Sequence, residues 1–277
     1  MAARVTHAEP PADVVAALRA AGCVFAEDEA RLLVEAAGPP AAVDPGRLAA
    51  LVARRVAGEP LEQVLGWAEF RGLRIEVEPG VFVPRRRTGL LVETALDVAA
   101  GLTGDVVAVD LCCGTGAVGA ALAAELRAAG RQHLELHASD LDPAAVRCAA
   151  RNLAGVGQVH AGDLYGALPT RLRGQVDLLV ANAPYVPTSA IAEMPREARD
   201  HEPATALDGG TDGLDLHRRI ASDAAAWLSA RGHLLIETSR GQAPGTAAAM
   251  ARGGLEPVVR TDDDLGGTVV VGRRPQP

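Results

Sequence analysis

The pattern of apolar and polar positions divides this chain near residue 80. From Pro11 to Gly58 the apolar residues recur at helical spacing. Val14, Val15 and Leu18 form one stripe, Ala30, Leu32, Leu33 and Ala36 a second, and Leu48, Leu51, Val52 and Val56 a third. Gly38-Pro39-Pro40 separates the second stripe from the third, and Asp44-Pro45 supplies an N-cap and a proline at the first helical position. Three short amphipathic helices predict a small bundle over residues 1–57. It carries no catalytic constellation and reads as a partner-recognition domain, with plain scaffold as the alternative. Residues 58–82 alternate more like strands, most clearly in Leu73-Arg74-Ile75-Glu76-Val77, and predict a hairpin linker.

From Thr88 onward the two periodicities take turns. The predicted elements are a helix around Leu90–Ala100, a strand Val106–Leu111, a helix Ala117–Ala129, a strand Leu134–Ser139, a helix Pro143–Leu153, and strands Gln158–Ala161 and Val176–Ala181. After an irregular segment come a helix Leu214–Ser229, a strand His233–Thr238, a helix Gln242–Arg252, and strands near Glu256–Arg260 and Thr268–Gly272; the tail Arg273–Pro277 is expected to fray. Such alternation predicts an α/β domain over residues 83–277 with a doubly wound, mostly parallel sheet, its last strands pairing antiparallel.

Composition narrows the function classes. The 277 residues are 48% hydrophobic and only 3% aromatic, a globular rather than disordered composition. The net charge of −8 argues against stable nucleic-acid binding, which draws on clustered Lys and Arg. No apolar run is long enough to span a membrane, and no secretory leader is recognisable, so a cytoplasmic protein is expected. Cys23, Cys112, Cys113 and Cys148 have neither disulfide-ladder nor metal-ligand spacing, so reduced, packed thiols and no metal are expected.

The chemistry lies at strand ends. Val109-Asp110-Leu111-Cys112-Cys113-Gly114-Thr115-Gly116 is an acidic residue followed by a glycine turn that opens a helix. A lone Gly-x-Gly also occurs in dinucleotide sites. Asp110, however, would repel a pyrophosphate and attract an ammonium or sulfonium cation. Asp140 ends the next strand about 24 residues further on, the position of a carboxylate that grips ribose hydroxyls. Asp142 reads as the cap of the following helix. Gly162-Asp163-Leu164 ends the third strand, where an adenine would lie. Asn182-Ala183-Pro184-Tyr185 directly follows the apolar strand Val176–Ala181. A carboxamide there can accept and donate, Pro184 biases Ala183 towards an extended backbone, and Tyr185 adds a ring that walls off water. Together they suit a planar –NH2 group that must be held still.

These motifs together resemble the class I methyltransferases that use S-adenosylmethionine, a seven-stranded Rossmann-like fold. Within them the chain resembles the HemK/PrmC group, which methylates the glutamine side chain of peptide chain release factors. The resemblance runs through GEPLEQVLGWAEFRG (58–72), VFVPR (81–85), the glycine turn, ASDLDPAAVRCAARN (138–152), NAPYVP (182–187), EPATALDGGTDGLD (202–215) and DDDLGGTVVVG (262–272). It implies S-adenosylmethionine as cofactor, held by Asp110, Cys112, Cys113, Gly114, Thr115, Gly116, Asp140, Leu141, Asp163, Leu164 and Asn182. It implies an acceptor pocket of Asn182, Ala183, Pro184 and Tyr185 with Phe82 beside it, and a monomer acting on a Gly-Gly-Gln loop.

The chain departs from the family pattern at four places. Ala183 replaces the first proline of Asn-Pro-Pro-Tyr, and Arg86, Arg87 and Gly89 break the Pro-Arg-Pro-Glu-Thr-Glu stretch. Cys112 stands where a glycine often opens the turn, and Leu164 where some members place an aromatic. Arg85-Arg86-Arg87 reads as a solvated charge run, and 202–213 as either a loop over the pocket or a plain connection. Two alternatives stand beside the leading one: methylation of an exocyclic amine on a nucleic-acid base, and a module that binds the cofactor but has lost catalysis.

Overall fold

Asp44 caps as its position predicts, its Oδ1 accepting from the backbone N–H groups of Gly46 (2.8 Å) and Arg47 (3.1 Å). The computed structural model describes residues 9–39, 41–131 and 133–275; Pro40 of the predicted break and residues 276–277 of the tail lie outside the described residues. Helices α1 (Ala12–Ala20), α2 (Ala26–Ala37) and α3 (Pro45–Val56) bring their apolar stripes together around Leu18, Ala30, Leu33 and Leu51.

The linker differs from the expectation at its start. Residues Leu61–Leu65 form a short helix, α4, before the hairpin β1 (Trp67–Phe70) and β2 (Leu73–Glu76). Pro60 at the N-cap presets the helical entry, and Val64 is drawn into the bundle core, so burial outweighs the local alternation. Two side chains fasten the hairpin to the α/β domain. Arg71 in its turn donates to Glu125 (2.6 Å) and Glu93 (2.7 Å), and Asn152 donates to the carbonyls of both Glu76 (2.9 Å) and Thr115 (2.8 Å).

The α/β domain runs α5 (Gly89–Ala100), β3 (Val106–Leu111), α6 (Ala117–Ala128), β4 (Leu134–Asp140), α7 (Pro143–Asn152), β5 (Gln158–Ala161), β6 (Val176–Ala181), α8 (Arg196–His201), α9 (Asp215–Trp227), β7 (Leu228–Glu237), α10 (Ala243–Arg252), β8 (Glu256–Asp262) and β9 (Gly267–Arg273). Among the described residues the sheet has seven strands in the order β5-β4-β3-β6-β7-β9-β8, parallel except where β9 runs against β7 and β8. This is the predicted doubly wound class. Two details differ: β7 begins at Leu228, inside the predicted helix, and the irregular segment contains α8.

All six residues of β6 are buried. Leu178 and Val180 pack into one core and Leu179 and Ala181 into the other, so polar groups are confined to the strand's ends. Asp177 near its start accepts from the Val107 N–H (3.1 Å), Ser229 (2.7 Å) and Arg231 (2.9 Å). Asn182 follows its other end. No helix among the described residues is long and apolar enough to cross a membrane.

The bundle is joined to the α/β domain by a buried cation. Arg55 pairs with Glu29 inside the bundle (2.6 Å) and with Glu197 of α8 (2.7 Å). Gln63 adds hydrogen bonds to the carbonyls of Val81 (3.2 Å) and His201 (3.5 Å). Replacing Arg55 leaves Glu29 buried without its partner. Arg55→Ala is therefore expected to cost about 3 kcal/mol or more in urea unfolding, and to speed limited proteolysis within residues 188–207.

Candidate active site

Strands β4, β3, β6 and β7 lie side by side, and each carries a polar residue at or beside its C-terminal end: Asp140, Asp110, Asn182 and Glu237. Ligands of open α/β sheets bind over this edge. A cavity of about 700 Å³ opens there, and its wall includes every residue that the sequence singled out for cofactor and acceptor except Gly116.

One half of the cavity is acidic and turn-lined. Asp140 is held by two main-chain donors, Gly114 N–H to Oδ2 (2.8 Å) and Asp142 N–H to Oδ1 (2.9 Å), so its carboxylate has a fixed orientation at the wall. Burial raises its pKa, and those N–H groups oppose the rise. Asp142 caps α7 through the Ala144 N–H (2.8 Å), as predicted. Gly116 enters α6 at φ +76° behind the wall, where a Cβ would meet Ala149 and Leu153 at 3.2 Å. Cys112 takes the left-handed conformation without being glycine, at φ +55°. This costs about 1–2 kcal/mol of backbone strain. Leu141 is 67% exposed although it lines the cavity, an apolar surface without a protein partner. Asp163 at the far end pairs with Arg219 of α9 (2.7 Å).

Asp110 is 1% exposed and accepts one N–H, from Gly119 (3.0 Å). Burial, with the negative charge of Asp140 adding to it, pushes its carboxyl up to about 7 against that hydrogen bond. The group therefore gains most from a cation brought beside it.

The other half holds Asn182, Ala183, Pro184, Tyr185 and Phe82 together on the wall. The Asn182 amide nitrogen donates to Thr88 Oγ1 (3.4 Å). Tyr185 is held at both ends: its hydroxyl donates to Glu237 Oε1 (3.4 Å) and its carbonyl accepts from Gln242 (2.7 Å). Burial beside Glu237 raises the Tyr185 phenol to about 12. Gly213 explains part of the 202–215 motif, since a Cβ there would lie 2.2 Å from the Tyr185 carbonyl oxygen. That segment is more than a connection, because Pro203, Thr205, Ala206 and Leu207 line the cavity.

The arginine run is solvated only in part: Arg86 and Arg87 are exposed, while Arg85 is half-buried. Arg85 reaches Glu202 through both carboxylate oxygens (2.6 and 2.7 Å) and lies over the Phe82 ring at 4.9 Å. Glu202 also accepts the Val83 N–H (3.1 Å). Arg87 contacts Glu237 (3.4 Å) and lines the cavity; Arg86 alone of the three keeps away from it. A buried carboxylate elsewhere in the chain recruits each inward guanidinium, and local composition carries no trace of that partner.

Thr88, Glu202, Glu237 and Arg219 were not among the site residues that the sequence singled out, although Glu202 opens the 202–215 motif and Thr88 lies in the stretch that departs from the family pattern. Glu237 ends a buried strand just as Asp110 and Asp140 do, so the strand-end argument applied to β7 would have found it. Nothing local marks Thr88 or Arg219.

The comparisons with known proteins agree with this geometry. Residues 72–201 match a family model described as methyltransferase small domain. A release factor glutamine methyltransferase of Streptomyces coelicolor is 42% identical over 70% of this chain and 69% of its own length. The chain belongs to the release factor glutamine methyltransferase family. It is thus a methyltransferase of the type dependent on S-adenosylmethionine. A further relative, 38% identical over 70% of this chain and 65% of its own length, is a 4-amino-L-phenylalanine/4-methylamino-L-phenylalanine methyltransferase of Streptomyces pristinaespiralis. Among solved structures, a methyltransferase from Pyrococcus furiosus shares the fold at 15% identity, with a TM-score of 0.51 over 80% of this chain and 96% of that one.

Asp110 supplies a test of the site's electrostatics. Its folded-state pKa lies above the unfolded value, so the stability carried by its protonated form is complete below about pH 4 and lost as the pH rises through about 7. Asp110→Asn should therefore raise the melting temperature at pH 8 and change it little at pH 5. Equal shifts at both pH values would contradict the desolvated carboxyl.

Proposed function

We propose that this protein transfers a methyl group from S-adenosylmethionine to the side-chain amide nitrogen of a protein glutamine, in the Gly-Gly-Gln loop of a peptide chain release factor. One observation carries the reading: the Asn182–Tyr185 element and the acidic, turn-lined half share one cavity, so an acceptor amide and a cationic donor can meet there. The 42% identity to a release factor glutamine methyltransferase supports the choice of acceptor.

The residues present fit the cofactor. Leu141 offers uncovered apolar surface for a flat ring, Asp140 an immobilised carboxylate for a diol, and Asp110 a buried carboxyl that a positive group would relieve. The Cys112–Gly116 turn and the Asp163-Leu164 pair complete that half. When bound, the cofactor supplies a methyl group already activated by its sulfonium.

The protein's task is then positioning. An amide nitrogen is a poor nucleophile because its lone pair is delocalised into the carbonyl. With one N–H accepted by Asn182 Oδ1 and the other by the Ala183 main-chain oxygen, the amide is held with its nitrogen presented to the donor side. Both oxygens are fixed dipoles that stabilise positive charge as it develops on that nitrogen. Pro184 stiffens the turn, while Tyr185 and Phe82 exclude water. No strong base is required, since a cationic amide nitrogen loses its proton readily.

In the same reading residues 1–57 present the protein acceptor, 58–82 link the domains, 83–277 carry the reaction, and the protein works as a cytoplasmic monomer. A second reading, methylation of a free aromatic amine, draws on the relative named for 4-amino-L-phenylalanine. Radiolabelled cofactor offered with separate pools of release factors, aromatic amino acids, DNA and tRNA discriminates them. Label in release factor is expected; label in another pool alone overturns the acceptor, and no label overturns the activity.

The two halves should also separate by mutation. Asn182→Ala is expected to lower kcat by about 100-fold or more while the calorimetric affinity for S-adenosylhomocysteine changes little. Asp140→Ala should weaken that affinity first. Equal loss of both properties in either variant would refute the division.

A further inference from the structure

Among the described residues, two of the three arginines that line the cavity are committed to ion pairs. Arg85 holds Glu202 at 2.6 Å and Arg219 holds Asp163 at 2.7 Å. Arg87 is held differently. Its Nε meets Glu237 Oε1 at 3.4 Å, and its side chain keeps 46% of its surface exposed beside a carboxylate that keeps 2%. Glu237 Oε2 is buried without a hydrogen-bond partner, so the two groups do not pair fork to fork. The terminal amino groups of Arg87 make no hydrogen bond among the described residues.

We propose that Arg87 recognises a carboxylate on the acceptor, carried close to the amine that is methylated. The inference rests on the acceptor-half reading above and adds to it the chemistry of the acceptor beyond its amine. A guanidinium has five N–H donors, and the Nε contact uses one. The four on its terminal nitrogens form the planar fork that fits a carboxylate through two parallel bonds.

The position of Arg87 places such a carboxylate beside the reacting group. Arg87 and the Tyr185 hydroxyl reach the same Glu237 oxygen, each at 3.4 Å, and Tyr185 closes the Asn182–Tyr185 element. The next residue, Thr88, takes the Asn182 amide nitrogen at its Oγ1 (3.4 Å). Neither neighbour of the guanidinium fully answers its charge. Tyr185 is a phenol that burial keeps neutral, and burial pushes Glu237 towards protonation although Arg87 opposes it. A single fork also suits one isolated carboxylate better than a nucleic-acid backbone, whose closely spaced phosphates would face Asp110 and Asp140 on the same wall.

Radiolabel transfer to paired acceptors that differ only in this charge tests the inference. For a release factor, the pair is the natural protein and a form whose aspartates and glutamates flanking Gly-Gly-Gln are changed to asparagines and glutamines. For an aromatic amino acid bearing a ring amine, it is the free acid and its primary amide. The two arms tell an acidic side chain from an α-carboxylate as the source. The wild-type protein is expected to prefer the acidic member of the pair it labels by about 10-fold or more in kcat/KM, the worth of a hydrogen bond to a charged group. Arg87→Gln should bring that ratio close to one. Arg87→Lys, which keeps a cation beside Glu237 without the fork, should retain a smaller preference of the same sign. If Arg87→Gln does not fold, Arg87→Lys decides alone. The inference is overturned by a wild-type protein with no preference for the acidic member, by a preference undiminished in the variants, or by label in nucleic acid alone. Label in release factor without a charge preference overturns the inference and leaves the proposed acceptor standing. Label in the amino acid with a charge preference does the reverse, and absence of all label overturns both.

Discussion

A strand buried on both faces has no place for a polar side chain except at its ends, and that constraint arranges this molecule. The residues of β3, β6 and the later part of β7 are almost all withdrawn from water, with cores on both sides of the sheet. Parallel strands point the same way, so their C-terminal residues collect along one edge. Asp110, Asp140, Asn182 and Glu237 therefore meet without any being close in sequence. Asp177 shows the rule from the other end of β6, where Arg231, Ser229 and a main-chain N–H neutralise a polar group that the core cannot hold.

The same edge is electrostatically uneven. Asp110 and Asp140 lie near one another, and burial pushes both towards protonation. On the acceptor side each buried carboxylate has an arginine, Glu202 with Arg85 and Glu237 with Arg87. Burial raises the pKa of Glu202 and Glu237 too, but each of them has an arginine beside it, whereas the arginine of the other half, Arg219, pairs with Asp163 rather than with Asp110 or Asp140. Under the proposed function, this asymmetry suits a cationic donor on one side and a neutral amide on the other.

Much of this was legible in the sequence, because it follows from local rules. The helical stripes of the bundle, the Asp44 and Asp142 caps and the alternation of helix and strand are short-range patterns, and the structure reproduces them. All but one of the site residues that the sequence singled out line the cavity, because open α/β sheets bind ligands over the strand ends where those residues fall. What failed did so through distant partners. Residues 61–65 became a helix once Val64 entered the bundle core, and Arg85 and Arg87 found partners in Glu202 and Glu237, each more than a hundred positions away.

The departures from the family pattern also acquire physical content. Ala183 is fully buried, so the missing proline ring leaves no exposed gap; what changes is the stiffness of the backbone that presents its carbonyl. That stiffness is supplied elsewhere. Gln242 holds the Tyr185 carbonyl, and Gly213 lets the following loop pack within reach of it. Val186 and Asp208 then bridge the two segments. The motif is clamped from its C-terminal side by contacts that a proline two residues earlier would not replace. A turn secured in this way can lose one proline and still keep the Asn182 amide and the Ala183 main chain in register, which is the geometry that the proposed chemistry requires.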